Sequence, residues 1–148
     1  VAGTSGLASG TNGVAQLALA AINNGTALAI TSPLRVGFLS AVRTANNGTD
    51  TEWTTSGGYT ALGSSSTGGV SGLTFAAATT DTTGAHQASN VAITVSNAPA
   101  QTWAGNVVHD SAATNKETWY APLTGGSKTI NSGDTVTISS GSFTSNLG

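Results

Sequence analysis

Eight side chains in this chain could move a proton or help hold a metal: Asp50, Glu52, Asp81, Asp110, Glu117, Asp134, His86 and His109. Hydrolytic chemistry needs two carboxylates that converge across a cleft. Asp50 and Glu52 stand two apart, which puts them on one face of a strand. Their Thr/Gly-rich surroundings read instead as a solvated turn. His109-Asp110 is the pair nearest to a general base with an orienting carboxylate. Neighbouring strand residues point to opposite faces, however, so these side chains are not expected to meet. No Gly-x-Ser-x-Gly elbow accompanies them, and Asp110-Ser111 reads as the Asx-type start of a turn. The two His lie in separate segments without zinc-ligand spacing, and no Asp-x-Asp-x-Asp-Gly calcium loop occurs. Gly57-Gly58 and Gly68-Gly69 lack the lysine and the strand-to-helix setting of a phosphate loop. These residues assign no catalytic group, no metal ligand and no cofactor-binding residue, and the expectation is that the chain is not an enzyme.

The aromatic residues offer binding rather than catalysis. Trp103 and Trp119 fall within apolar strand patterns and are expected in the core. Trp53 and Tyr59 sit in a polar stretch with no obvious core partner. Tryptophan is enriched at interface hot spots, so both are expected to anchor a subunit or partner contact. Val1 and Leu7 are the bulky apolar side chains of the first ten residues and join them as candidate interface residues.

Composition narrows the function classes further. Only 7% of the 148 residues are charged, against roughly 25% in an ordinary soluble domain. Ser and Thr together make up about 29%, so the surface is expected to be wetted by hydroxyls and amides. The four cationic residues, Arg35, Arg43, Lys116 and Lys128, are scattered along a chain of net charge −2. Nucleic-acid binders cluster such residues and are basic, so no nucleic-acid partner is expected. No apolar run reaches the roughly 18 residues of a membrane-spanning helix, and no membrane partner is expected. With no Cys, disulfides and thiol chemistry drop out. Asn24-Gly25-Thr26 and Asn47-Gly48-Thr49 match the glycosylation pattern but read better as turns.

These side chains must be positioned by a β framework. Residues 1–10 are small and polar apart from Val1 and Leu7, and are expected to form an arm that is flexible or ordered by a partner. Residues 11–148 are expected to form a single β domain. A helix over about 12–23 follows from Val14, Leu17, Ala18, Ala21 and Ile22 at helical spacing. Thr11 or Asn12 would cap it, and Asn23-Asn24-Gly25 would stop it. Leu34–Val42 carries the strongest strand pattern, with Leu34, Val36 and Phe38 facing the core. Leu39 and Val42 break the period, which points to a bulge or a strand end. Residues 49–70 read as a long polar loop serving as an interaction surface. Further strands are predicted at Leu73–Ala77, Val91–Val95, Thr102–His109, Thr118–Leu123, Lys128–Ile130, Thr135–Ser139 and Ser142–Asn146. Asn131-Ser132-Gly133-Asp134 would join the pair on either side of it as a hairpin. The clean alternation of Val91, Ile93, Val95 and of Val136, Ile138 belongs to antiparallel sheets. The expected fold class is all-β, an antiparallel β-sandwich or jelly roll with one short N-terminal helix.

Four stretches carry a resemblance. They are Leu34-Arg35-Val36-Gly37-Phe38-Leu39, Glu52-Trp53-Thr54-Thr55-Ser56-Gly57-Gly58-Tyr59, Trp103-Ala104-Gly105-Asn106-Val107-Val108-His109-Asp110, and Lys128-Thr129-Ile130-Asn131-Ser132-Gly133-Asp134-Thr135-Val136-Thr137-Ile138, followed by Gly141 and Phe143. In this order they resemble small phage virion structural proteins of the tail-fibre-like and capsid-decoration family. The chain departs from that pattern in its polar stretch at 60–72 and in Asn106-Val107-Val108. The resemblance implies a capsid decoration protein on the outer surface of the virion, bound to the major capsid protein and to itself as a trimer or dimer. It brings no catalytic residues and no cofactor. Two other functions are compatible with the composition: a tail-fibre or baseplate module that binds host glycan, and an extracellular adhesin-type β domain.

Overall fold

The computed structural model describes residues 6–7, 15–25, 27–45, 49–63, 67–82, 84–112 and 116–147. In chain order its elements are β1 (Gly6–Leu7), α1 (Ala15–Asn24), β2 (Leu34–Ala41), β3 (Thr51–Glu52), β4 (Val70–Leu73), β5 (Thr79–Asp81) and β6 (Gly84–Ala88). They continue as β7 (Ile93–Val95), β8 (Gln101–Trp103), β9 (Gly105–His109), β10 (Glu117–Pro122), β11 (Lys128–Ile130), β12 (Val136–Ile138) and β13 (Thr144–Leu147). Every strand pairing is antiparallel. The chain is an all-β protein with one short helix, as its alternating patterns predict.

The largest sheet has the order β1-β10-β9-β2-β3, with β4 also on β2. Strand β2 is its spine. Val36 and Phe38 project from one face into the main core, together with Leu73, Val108, Trp103, Ile93, Val95, Val136, Ile138 and Phe143. Through this cluster the ribbons β7–β12 and β8–β11 pack on the sheet as the second layer of a sandwich. Leu39 projects from the other face into a smaller core with Leu62, Val107 and Tyr120. Leu39 therefore breaks the one-sided alternation because both faces of β2 are covered. The predicted irregularity is present as well, as a register shift between Leu39 and Ala41 against β3. Gly37 sits where the second face is tightest: a Cβ there would lie 2.5 Å from Leu62 Cδ1 and 2.8 Å from Val107 Cγ1.

Several expectations are corrected. Lys128–Ile130 and Val136–Ile138 do not pair with each other: β11 pairs with β8, and β12 pairs with β7. The turn at 131–134 forms, with Asp134 N bonded to Asn131 O. It then docks on Ala98 through Gly133 N→Ala98 O and Ala98 N→Asp134 O, which sends the two strands to different partners. The single strand predicted over Thr102–His109 breaks at Ala104. The Ala104 amide bonds to Leu39 O and its carbonyl accepts from Leu123 N. Strand β4 lies earlier than the predicted Leu73–Ala77 and includes Val70. The β5–β6–β13 sheet contains two strands, β5 and β6, whose hydroxyl-rich and small residues showed no alternation.

The N-terminal expectations are partly outside the described residues. Thr11 and Asn12, the capping candidates, and Val14 lie outside them. Helix α1 runs from Ala15 to Asn24. Most of the arm, Val1 included, is also outside them. Gly6 and Leu7 are described through their backbone, which pairs with Tyr120 and Trp119 at the edge of β10.

Candidate functional site

The 49–70 segment, expected to be a long polar surface loop, is largely exposed among its described residues but is anchored in the core by Trp53, Tyr59 and Leu62. Strands β3 and β4 both pair with the same edge of β2, leaving a gap at Gly37 and Phe38. Trp53 N donates to Phe38 O at 2.8 Å, and Phe38 N donates to the Tyr59 hydroxyl at 3.0 Å. A side-chain hydroxyl thus takes the place of a strand partner, because a buried backbone N–H without an acceptor is costly. Tyr59 in turn donates to Glu52 Oε1 at 2.6 Å. The same carboxylate accepts from Leu62 N and, at 3.0 Å, from Gly63 N. Burial first, and then the nearby Glu52 charge and hydrogen bond, push the Tyr59 phenol well above its ordinary pKa.

Trp53 and Tyr59 are therefore not interface anchors. They are 0% and 2% exposed, and with Trp103 they surround Phe38 at ring separations of 4.9, 5.8 and 5.5 Å. Trp53 Nε1 is satisfied by Thr102 O at 2.6 Å. Of the other candidate interface residues, Val1 and the Leu7 side chain lie outside the described residues. Trp103 is in the core as expected, and Trp119 is partly buried against it.

A buried ion cluster occupies the second face of the large sheet. Arg43 leaves the end of β2 and lies 4.3 Å above the Tyr120 ring. Its guanidinium bonds to Asp50, with Nε to Oδ2 at 3.0 Å, and pairs with Glu117. Its backbone N–H also donates to Asp50, at 2.7 Å. Burial alone would lower the guanidinium pKa, but hydrogen bonds and charges from Asp50 and Glu117 outweigh it and raise the value. His109 lies 4.0 Å from Glu117 through Nε2, and its buried Nδ1 has no hydrogen-bond partner among the described residues. Asp110 is fully buried and accepts from Lys116 N at 2.7 Å, while Asp110 N donates to Lys116 O.

The two halves of the His109-Asp110 pair thus turn to different partners, as strand alternation requires. Asp50 is no solvated turn residue but the clamp on Arg43, and Glu52 is no solvated turn residue but the clamp on Tyr59. Sequence reading missed both because Asp50 and Glu52 stand in a segment read as loop, and no local pattern ties them to Arg43 and Tyr59, each seven residues away. These contacts neutralise, orient and hold. Among the described residues no three His, Asp or Glu side chains gather as a metal site.

A concavity lies elsewhere. A groove of about 1310 Å³ runs between α1, β10, the β5–β6–β13 sheet and the end of β12. Trp119, Leu123, Ile138 and Phe143 contribute its apolar wall, and Gln87, Asn106 and Ser139 some of its polar groups. Among the described residues no Asp, Glu, Lys or Arg lines it. Comparison with family models, curated proteins and solved structures finds no match to this chain.

Proposed function

We propose that this chain is a structural protein of a phage particle, a decoration subunit that covers the major capsid lattice through many weak, uncharged contacts. The virion assignment rests on the four motif stretches between residues 34 and 143. The observation that carries the physical role is where the few charges go. Arg35, Arg43, Asp50, Glu52, Asp110, Lys116, Glu117 and Asp134 all bind groups of this same chain. Asp81 lies 3.9 Å from His86, whereas Lys128 is exposed at the start of β11. A surface so poor in free charge meets its partners through hydroxyls, amides and apolar groups. Contacts of that kind are weak singly and strong when repeated on a lattice, and salt screens them little.

The rival glycan reading relied on Trp53 and Tyr59, and their burial removes the residues it needed. Quantitative mass spectrometry of purified particles tests the proposal. Hundreds of copies per particle are expected; a handful of copies places the protein in the tail or at a vertex, and absence from the particle ends the virion reading.

A further inference from the structure

We infer that the α1 ridge and the adjacent groove form a self-complementary interface, in which each of two copies of this chain seats its ridge in the other's groove. The inference is independent of the virion reading, since it needs only this chain.

The large apolar side chains that stand exposed among the described residues are Leu19, Ile22 and Leu28, at 61%, 73% and 40%. All three fall within ten residues of one another, on or just after α1. A contiguous exposed apolar patch of this kind marks an interaction surface. A ten-residue helix is also marginal without a packing partner. Among the α1 side chains that the structure describes, those of Ala18, Ala20 and Ala21 are half-buried, and Ala18 and Ala21 line the groove. Ile22 borders the same groove while remaining mostly in solvent.

Charge selects the occupant. Among the described residues the groove lining includes His86 but no Asp, Glu, Lys or Arg, so a partner that brought charge into it would leave that charge largely desolvated and unpaired. An ordinary protein surface carries many charges. Residues 1–34 of this chain carry none, Arg35 being the first. The element best matched to the groove is therefore the one beside it, offered by a second copy. A twofold interface requires that ridge and groove belong to one continuous patch, so that each meets the other's counterpart. Ile22, at once on the ridge and on the groove's rim, meets that requirement.

The test is sedimentation equilibrium of the full chain, with Ile22→Glu and Leu19→Glu as variants. Both positions are exposed in the single chain, so near-UV circular dichroism of the buried tryptophans should stay unchanged. The wild-type chain is expected to be dimeric at about 10 µM, and each variant monomeric at the same concentration. Because the chain has no Cys, an Ile22→Cys chain mixed with a Thr124→Cys chain should also give a disulfide-linked heterodimer under mild oxidation. A wild-type monomer at about 100 µM, or an oligomer that survives both glutamates, overturns the interface. So does a monomer retarded by neutral polysaccharide in native electrophoresis, which would make the groove a glycan site. Normal particle occupancy by the Ile22→Glu chain would leave the virion reading standing whatever the self-association result.

Discussion

At the scale of the residue, the polar groups of this protein serve its core. Tyr59 both accepts from Phe38 N and donates to Glu52. Tyr59→Phe keeps the ring but leaves Phe38 N without its acceptor and Glu52 with one donor fewer, and should cost about 1–3 kcal/mol in urea denaturation. Trp53→Ala removes the largest side chain beside Phe38 and should cost about 3–5 kcal/mol. The Tyr59 phenol also sets an alkaline limit. Its folded pKa is raised, so the stabilisation is complete below the unfolded value of about 10 and is lost as pH rises above it. Denaturation midpoints should fall through that range for the wild type and fall less for Tyr59→Phe. Arg43 is different in kind, because it neutralises two buried carboxylates at once. Arg43→Met should lose about 3–5 kcal/mol by leaving Asp50 and Glu117 uncompensated, and an equally stable variant would show that the cluster is hydrated rather than buried.

At the scale of the element, tight backbone approaches decide which pieces can meet. The 56–59 turn closes through Ser56 and Tyr59 and then leans on the 96–98 corner, with Gly58 N bonded to Asn97 O at 2.7 Å. A Cβ on Gly58 would fall 1.8 Å from Ser96 O. Gly58→Ala must therefore push the turn away from that corner and loosen Tyr59 from β2. Thermal unfolding should show a loss of at least about 1–3 kcal/mol, the usual cost of forcing extra volume into a packed site. Gly37→Ala should cost a similar amount for a different reason, since there the obstacles are the Leu62 and Val107 side chains, which can shift.

At the scale of the whole molecule, the charged groups are few and most of them bind partners within the chain, which leaves a surface that is largely neutral and polar. On the proposed decoration role, binding to the particle should then hold nearly constant between about 50 and 500 mM salt, where exposed ion pairs would be screened away. Co-sedimentation of the protein with stripped capsids reads this directly, and a steep loss of binding with salt would refute the uncharged contact. The arrangement also separates two tasks. The sandwich closes over its own aromatics, while the exposed large aliphatic groups among the described residues, Leu19, Ile22 and Leu28, lie on or just after α1.

Alternation along Leu34–Phe38, Ile93–Val95 and Val136–Ile138, with stop signals around one Ala-rich helix, was enough to specify an antiparallel all-β chain. Those signals are local: side-chain direction repeats every two residues in a strand and about every 3.6 in a helix, so a short window carries them. Composition likewise showed that charge was scarce. Tertiary structure decided where each polar and aromatic group went. Trp53 and Tyr59 looked stranded because their neighbours, Phe38 and Trp103, are distant in sequence. Lys128–Ile130 and Val136–Ile138 looked like a hairpin because a good turn joined them, yet β8 and β7 took them as partners. Burial and strand pairing depend on which segments the collapsed chain brings together, and that is a property of all the contacts at once.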